Sequence, residues 1–459
     1  MTGSLNKTAS RLAIAAIASV IGTGAFAADL GGNCCADLEE RVAELEATTA
    51  RKGNRKVSLT VSGQVNEAVI FWDDSVEKNA YIVSNNSSRT RFRFVGDAKI
   101  SNDWSAGYLL EIGVRYANSG NRNQGTNAAG GDTNSIDIRH SAWWLENKQL
   151  GRMWVGQTST ATDGIAEINL ANVVAVGSDP SAWNGGFFLR NANGTLSTQK
   201  WNNITPSFAG AWNAGEGDRN NVVRFVSPTM YGFTFSSAYG EDDMWDTAVR
   251  YAGEFNGVRV AAGIGYKEQR DNVGKSGADG AICADLNVST QQSAVDCHAL
   301  GMSASVMHVP TGLYVSGSYG YIQDDNRKAL FAQNVKDKDE HWYIQAGLER
   351  NHFGIGLTTI YGEYGYFETG AGLSGTGGIN TGFAGIVPLA GNNTLASSEV
   401  TMWGLGVNQQ ISAAAMDMYI SYRHFDADSR FSANGLNTAT SQKSSQDFQA
   451  VMMGAIIRF

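Results

Sequence analysis

The chain has 459 residues, with 54 Gly, 5 Pro, 42% hydrophobic and 17% charged residues and a formal charge of −9. Sparse charge beside 10% aromatic residues excludes a disordered chain, and 35 Lys and Arg against 44 Asp and Glu offer no clustered basic face for nucleic acid. Four Cys are too few for a disulfide-stapled scaffold.

Residues 1–27 read as a secretory signal: Lys7 and Arg11 precede an apolar stretch from Leu12, and Ala25-Phe26-Ala27 precedes the cut. A lipoprotein cut before Cys34 is the rival, but Asn33 stands where a small residue is needed. Residues 28–55 form an N-terminal segment. Within 36–52, Leu38, Val42, Leu45 and Thr49 follow 4-3-4 spacing with charged residues between them, which predicts one short helix with a coiled-coil seam. No later apolar run approaches the about 20 residues that a spanning helix needs.

From 56 to 459 the apolar residues alternate with period 2 and are punctuated by Gly, Asn and Asp, the signature of strands. Sixteen are expected, near 57–70, 89–99, 104–115, 136–146, 150–157, 221–228, 231–240, 245–255, 258–268, 299–309, 312–322, 340–351, 353–364, 398–411, 414–425 and 446–459. Short turns such as Asn102-Asp103, Asn256-Gly257 and Pro310-Thr311 alternate with connections that are mostly long. A soluble sandwich has no reason to sort its loops in this way. A membrane-spanning barrel does, with short turns at one rim and long loops at the other. Every backbone group in lipid must be paired, so sixteen antiparallel strands must close on themselves, and closure at that number leaves an aqueous lumen. The predicted fold is all-β, a 16-stranded antiparallel transmembrane β-barrel with a short N-terminal periplasmic helix.

Alternation also sorts the charges. Arg89, Arg91 and Arg93 oppose Phe92 and Phe94, and Arg115, Arg139 and Arg152 take the polar parity of their strands. Arg facing lipid costs about 2–4 kcal/mol near the midplane, so these six are expected to point inward. They could alternatively pair with Asp97, Glu111 or Asp137 and only hold the wall together. Phe459 ends the last strand and resembles the signal read by the outer-membrane assembly machinery.

The chain resembles the general porins of the alphaproteobacteria, the rhizobial and brucella type. The resemblance is carried by the run Cys34-Cys35-Ala36-Asp37-Leu38-Glu39-Glu40-Arg41-Val42-Ala43-Glu44-Leu45-Glu46-Ala47, by Lys56-Val57-Ser58-Leu59, and by Arg152 to Gln157 ahead of the longest loop. Val222-Val223-Arg224-Phe225 with Ser227-Pro228 after that loop, and Phe459, complete it. It implies a homotrimeric diffusion channel in the Gram-negative outer membrane, passing small hydrophilic solutes and ions among lipids and lipopolysaccharide. It also implies that loop 158–220 folds into the barrel and narrows it. The acids of that loop, Asp163, Glu167, Asp179, Glu216 and Asp218, would then face the wall Arg and set a transverse field.

A trimer would bring three copies of the 36–52 helix together in a periplasmic stalk. Tethering of Ala28-Asp29 to peptidoglycan is a further implication of the family. Cys34 and Cys35 are adjacent, which strains a bond between them and leaves pairing between subunits as the alternative. Cys283 and Cys297 share one outer loop and are expected to close it. A sugar-specific channel would need an aromatic track, for which Trp143, Trp154, Trp183, Trp201 and Trp212 are available. An envelope tether is the structural alternative. The six His, His140 among them on an apolar parity, never fall at zinc spacing, and no phosphate loop or Gly-x-Ser-x-Gly elbow occurs. No enzyme, cofactor or metal is expected.

Overall fold

The computed structural model describes residues 56–126, 135–173, 181–205, 214–240, 243–270, 296–325, 336–370, 394–432 and 440–459. The signal, the helix with Leu38, Val42 and Leu45, the pair Cys34 and Cys35, Asp179, Trp212 and Cys283 lie outside the described residues. The strands are β1 (Thr60–Asp73), β2 (Lys78–Ser84), β3 (Arg91–Lys99), β4 (Trp104–Arg115), β5 (Ser135–Asn147) and β6 (Gly151–Ser159). After the short pair β7 (Phe188–Arg190) and β8 (Leu196–Lys200) come β9 (Arg219–Val226), β10 (Phe233–Gly240), β11 (Trp245–Phe255), β12 (Val258–Arg270), β13 (Asp296–His308) and β14 (Leu313–Asp324). The last are β15 (Lys338–Arg350), β16 (Thr358–Gly370), β17 (Thr394–Ile411), β18 (Met416–Ser432), β19 (Thr440–Ser444) and β20 (Phe448–Arg458).

Apart from β7 and β8, all of them join one antiparallel sheet that closes through β1 and β20, in register from Gln64 opposite Arg458 to Asp73 opposite Gln449. Two wall positions are split. Both β2 and β3 pair with β1, and both β19 and β20 pair with β18. The eighteen strands therefore occupy sixteen positions, as the alternation predicts. Phe459 completes the seam: its amide donates to the Gly63 carbonyl at 3.1 Å and its carbonyl accepts from the Gly63 amide at 2.9 Å. A Cβ on Gly63 would sit 2.6 Å from the Phe459 ring, so only Gly fits there.

The faces are inverted relative to a soluble protein. Val65, Ile138, Trp143, Val249, Ile264, Trp342, Leu405 and Ile457 are exposed on the outside, while Asn66, Glu111, Asp246, Lys267, Glu363 and Arg423 are buried on the inside. The outward apolar belt is what a hydrocarbon surround requires. The turn ahead of β16 is longer than expected, and the strand starts at Thr358 rather than near 353. Gly354 and Gly356 take φ of +73° and +147° in that turn, a conformation that favours Gly.

One local defect changes a face. A β-bulge between Glu111 and Ile112 of β4 leaves Arg139 of β5 without a direct partner, and Glu111 stands opposite His140. The extra residue shifts the parity of β5, so Ile136 and Ile138 face out, Arg139 and His140 both turn in, and Trp143 faces out. Strict alternation put His140 on the apolar face; the bulge overturns that expectation. His140 is buried with Nδ1 3.2 Å from Thr158 Oγ1.

Candidate permeation site

The connection from β6 to β9 turns into the barrel and is stitched to its inner wall. At its root the buried Asp246 carboxylate of β11 accepts from the amides of Ala161 and Thr162 at 3.0 and 2.8 Å and from Thr162 Oγ1 at 2.7 Å. Arg250 of the same strand donates to the carbonyls of Ala161 and Asp163, both at 2.8 Å. Ser303 Oγ donates to Ile165 O at 2.5 Å, Ser305 Oγ accepts from the Leu170 amide at 3.0 Å, and Asn169 donates to Gln345 at 2.8 Å. Asn172 ends the limb, with its amide donating to Glu349 at 2.6 Å and its side chain to Asp417 at 2.5 Å. The outgoing limb thus follows the inner wall from β11 to β18. On the return, Gly215 (φ +82°) lies so close to the wall that a Cβ would stand 2.2 Å from the Leu300 carbonyl.

A second part of the loop fills the opposite side. Trp183, Phe187 and Trp201 are fully buried against Trp72, Phe425 and Phe448 of β1, β18 and β20, with ring centroids 5.0 Å apart for Trp72 and Phe187 and 4.9 Å for Phe187 and Phe448. Beneath Trp183, at 4.7 Å, lies the guanidinium of Arg423, which donates to Glu363 at 2.7 Å; both charged side chains are fully buried. The hairpin of β7 and β8 is held by Arg190, whose Nε donates to Asp74 at 2.8 Å. Those contacts take up the wall from β11 round to β1, which leaves the open part of the lumen beside β3 to β6.

On that side stand the expected cations. The fully buried carboxylate of Glu111 accepts from Arg93 Nε at 2.7 Å and Arg139 Nε at 2.6 Å and lies 3.5 Å from Arg91 Nη1. Three guanidinium groups share one carboxylate, so positive charge remains. Arg89 lies 3.2 Å from Asp137, and Arg152 pairs with Glu146 at 2.7 Å while stacking 4.3 Å from the Trp144 ring. Exposure separates them: Arg93 is 43% exposed, Arg152 34% and Arg91 20%, whereas Arg89 and Arg139 are below a tenth. Arg115 ends β4, and its side chain is outside the described ones. All five described side chains pair with carboxylates, and Arg91, Arg93 and Arg152 keep part of their surface exposed.

The loop acids gather beside this wall. Asp218 accepts from Arg219 at 3.0 Å and Asp163 lies 4.0 Å from the same guanidinium. Glu216 departs from the expectation of an open eyelet acid: it is buried, with Oε2 accepting from the Ala166 amide at 2.7 Å. Burial, with the Glu167 and Asp163 charges adding to it, pushes its carboxyl well up. Asp218 is also raised by enclosure, against the pull of Arg219. Glu167 is exposed, with protein around it. That enclosure and the Asp163 charge hold it at about 7.

Two consequences of Glu167 are testable. Below about 7 the loop loses a negative charge, so current reversal potentials measured from pH 5 to pH 9 are expected to move toward cations as pH rises, and Glu167→Gln is expected to flatten the profile. Between its ordinary value of 4.5 and about 7 the folded chain holds a proton that the unfolded chain releases, so Glu167's contribution to stability declines as pH rises across that interval.

Arg219, Arg224 and Arg250 escape a reading confined to the strands before the loop; Arg224 and Arg250 take the inward parity of β9 and β11, while Arg219, the first residue of β9, shares the parity of Val223 and Phe225. Arg224 donates to Ser159 O at 2.8 Å and so holds the loop root with Arg250. Among the described residues the candidate tryptophans do not line up in a track. Trp143 faces out, Trp183 and Trp201 belong to the loop and are buried against the wall, and Trp154 packs with Trp144 and Arg152. Cys297 is buried and disulfide-bonded.

A closed sixteen-position barrel with an apolar exterior, a charged interior and a loop folded across its lumen is a channel of the bacterial outer membrane. The sequence model for Gram-negative porins matches residues 13–455, and the chain belongs to that family. Among solved structures, an anion-selective porin from Comamonas acidovorans aligns with TM-score 0.52 at 13% identity, covering 88% of this chain and all of that one. The trimer form of OmpT, an outer membrane protein of Vibrio cholerae, aligns with TM-score 0.49 at 15% identity over 88% of this chain and 99% of that one. No curated protein sequence matches the chain.

Proposed function

We propose that the chain is a general diffusion porin whose eyelet is bounded by Arg91, Arg93 and Arg139 on the wall and by Asp163 and Glu167 on the loop. The observation that carries this reading is the placement of the half-exposed Arg93 and the lumen-facing Glu167 at the open side of a lumen otherwise packed with loop residues. Opposed charges across a water-filled gap orient polar solutes and disfavour apolar ones, which lose hydration there without gaining partners. The chain would be exported by residues 1–27, assemble as a homotrimer, and belong to the alphaproteobacterial branch on the strength of the Cys34 to Ala47 run.

Planar-bilayer recording tests the reading. Folded protein is expected to give stable steps in groups of three without a ligand, and liposomes carrying it are expected to swell in small sugars at rates set by solute size. Absence of conductance would sink the channel. Saturable, sugar-specific block would replace general diffusion by a specific site.

A further inference from the structure

We propose that the inner wall of β5, β6 and β9 carries a binding station for oxyanions, the carboxylate or phosphate groups of passing solutes, built from Arg152 and Arg224 on the rings of Trp144 and Trp154. The register brings these residues into two neighbouring rows. Gly107, Trp144, Trp154 and Arg224 stand opposite one another across β4, β5, β6 and β9, and Ser105, Glu146, Arg152 and Val226 make the next row toward the short turns. Gly107 lies four residues along β4 from Glu111, so the station sits on the order of 13 Å from the eyelet cluster at ~3.3 Å per residue.

Two features separate this group from an ordinary wall ion pair. The Arg152 guanidinium lies 4.3 Å from the Trp144 ring and 5.5 Å from the Trp154 ring, and that of Arg224 lies 5.9 Å from Trp154. Trp144 is buried against β4, where a Cβ on Gly107 would stand 2.4 Å from its ring. Glycine weakens a strand interior, and here it makes room for that ring. A guanidinium stacked on a ring keeps its edge for hydrogen bonding, and its fork matches the two oxygens of a carboxylate or phosphate.

The donors are only partly used. Arg152 gives Nη2 to Glu146 at 2.7 Å, and its other nitrogens have no hydrogen-bond partner among the described residues. Arg224 gives Nη1 to the carbonyls of Ser159 and Thr160 at 2.8 and 3.3 Å, while its Nε is buried without a partner. Two guanidinium groups against one carboxylate leave a positive charge, and Asp97 and Lys99, which share the inward parity of β3 at this level, offset each other. Arg152 is 34% exposed, so a solute can reach its free edge. A sugar finds no platform here, because Trp144 is buried and Arg152 lies over its ring. Chloride, a sphere, cannot engage both prongs of the fork. This inference rests on the diffusion-channel reading and names the solute class that a station beyond the eyelet would retain.

The test is block of chloride current in planar bilayers by inorganic phosphate and by succinate, in dilute salt where charge is least screened. Both anions are expected to lower the wild-type current to a plateau at millimolar concentration. Arg152→Gln is expected to raise the half-blocking concentration about tenfold, the scale of one charge-assisted hydrogen bond. Arg152→Lys keeps the charge without the fork and should fall between. Block by one of the two anions alone supports the station and assigns it to phosphate or to carboxylate. No saturating block, or Arg152→Lys behaving as wild type, overturns it and leaves the channel intact. Loss of block in Arg93→Gln but not in Arg152→Gln overturns it as well, because the anion is then held at the eyelet. A phosphate titration of tryptophan fluorescence in the folded full chain in detergent needs no current. A saturable change that Trp154→Phe removes supports the station, and an unresponsive spectrum overturns it. No chloride current at all would sink the channel reading, and the fluorescence titration then decides the station by itself.

Discussion

Changing Arg423 to Ala is expected to cost about 3–5 kcal/mol, because it leaves the Glu363 carboxylate buried without its counter-charge. Arg423 and Glu363 are both fully buried and 2.7 Å apart, and Trp183 of the inward loop lies on the guanidinium. Screening water cannot enter to rehydrate the orphaned carboxylate, which distinguishes this pair from exposed ion pairs worth about 0–1 kcal/mol. The change also removes the platform beneath Trp183. The variant is expected to unfold at a lower urea concentration and to show noisier, larger single-channel currents as the loop loosens. Replacing both partners, with Arg423→Met and Glu363→Leu, should recover much of the stability without restoring the loop contact. Unchanged current noise in Arg423→Ala would show that the aromatic packing of Trp183 and Trp201 holds the loop by itself.

The second large effect concerns ions. Glu111→Gln removes the carboxylate shared by Arg91, Arg93 and Arg139, and Arg93→Gln removes the most exposed cation of that cluster. A unit charge at about 8 Å in water is worth about 0.5 kcal/mol to a passing ion. That favours one sign and disfavours the other by about twofold each, so the anion-to-cation permeability ratio is expected to move by about fourfold in dilute salt and less in concentrated salt. The two changes should act in opposite directions: Glu111→Gln toward anions, Arg93→Gln toward cations. Reversal potentials in a salt gradient measure this directly. Equal shifts of the same sign would refute the assignment of Arg93 to the eyelet. The stability loss in Glu111→Gln should be smaller than in Arg423→Ala, because Arg93 is already 43% exposed and can take up water.

Much of this architecture is legible in the chain because a barrel strand has only two faces and a fixed period. Phe92 against Arg91 and Arg93 is enough to orient β3, and the short turns at Asn102-Asp103 and Asn256-Gly257 sort one rim from the other. The rule fails where the period breaks. No feature of the run Ile136 to Trp144 announces the bulge that turns His140 inward and Trp143 outward, since a bulge is fixed by the register of the neighbouring strand. The inward turn at Asn86–Ser88 is likewise settled by Tyr419 and Asn66, far away along the chain.

The wall Arg illustrate the same limit in the site. Sequence parity places Arg89, Arg91, Arg93, Arg139 and Arg152 on one side of the sheet, and the cost of facing lipid makes that side the lumen. It cannot rank them, because exposure depends on which carboxylate each one finds across the barrel. The loop acids are harder still. Glu167 and Glu216 are alike in composition, yet one opens to water and the other is sealed behind the Ala166 amide.

The barrel and its strand number are legible in the chain, because local alternation and the absence of hydrogen-bond partners in lipid admit few other solutions. The path of the long loop inside the barrel, the exposure of each charge and the gap in the β2 and β3 pairing at Val65 and Asn66 are set in three dimensions. Those properties arise from contacts between residues distant in the chain, such as Asn172 with Asp417 and Trp183 with Arg423, and no local periodicity encodes them.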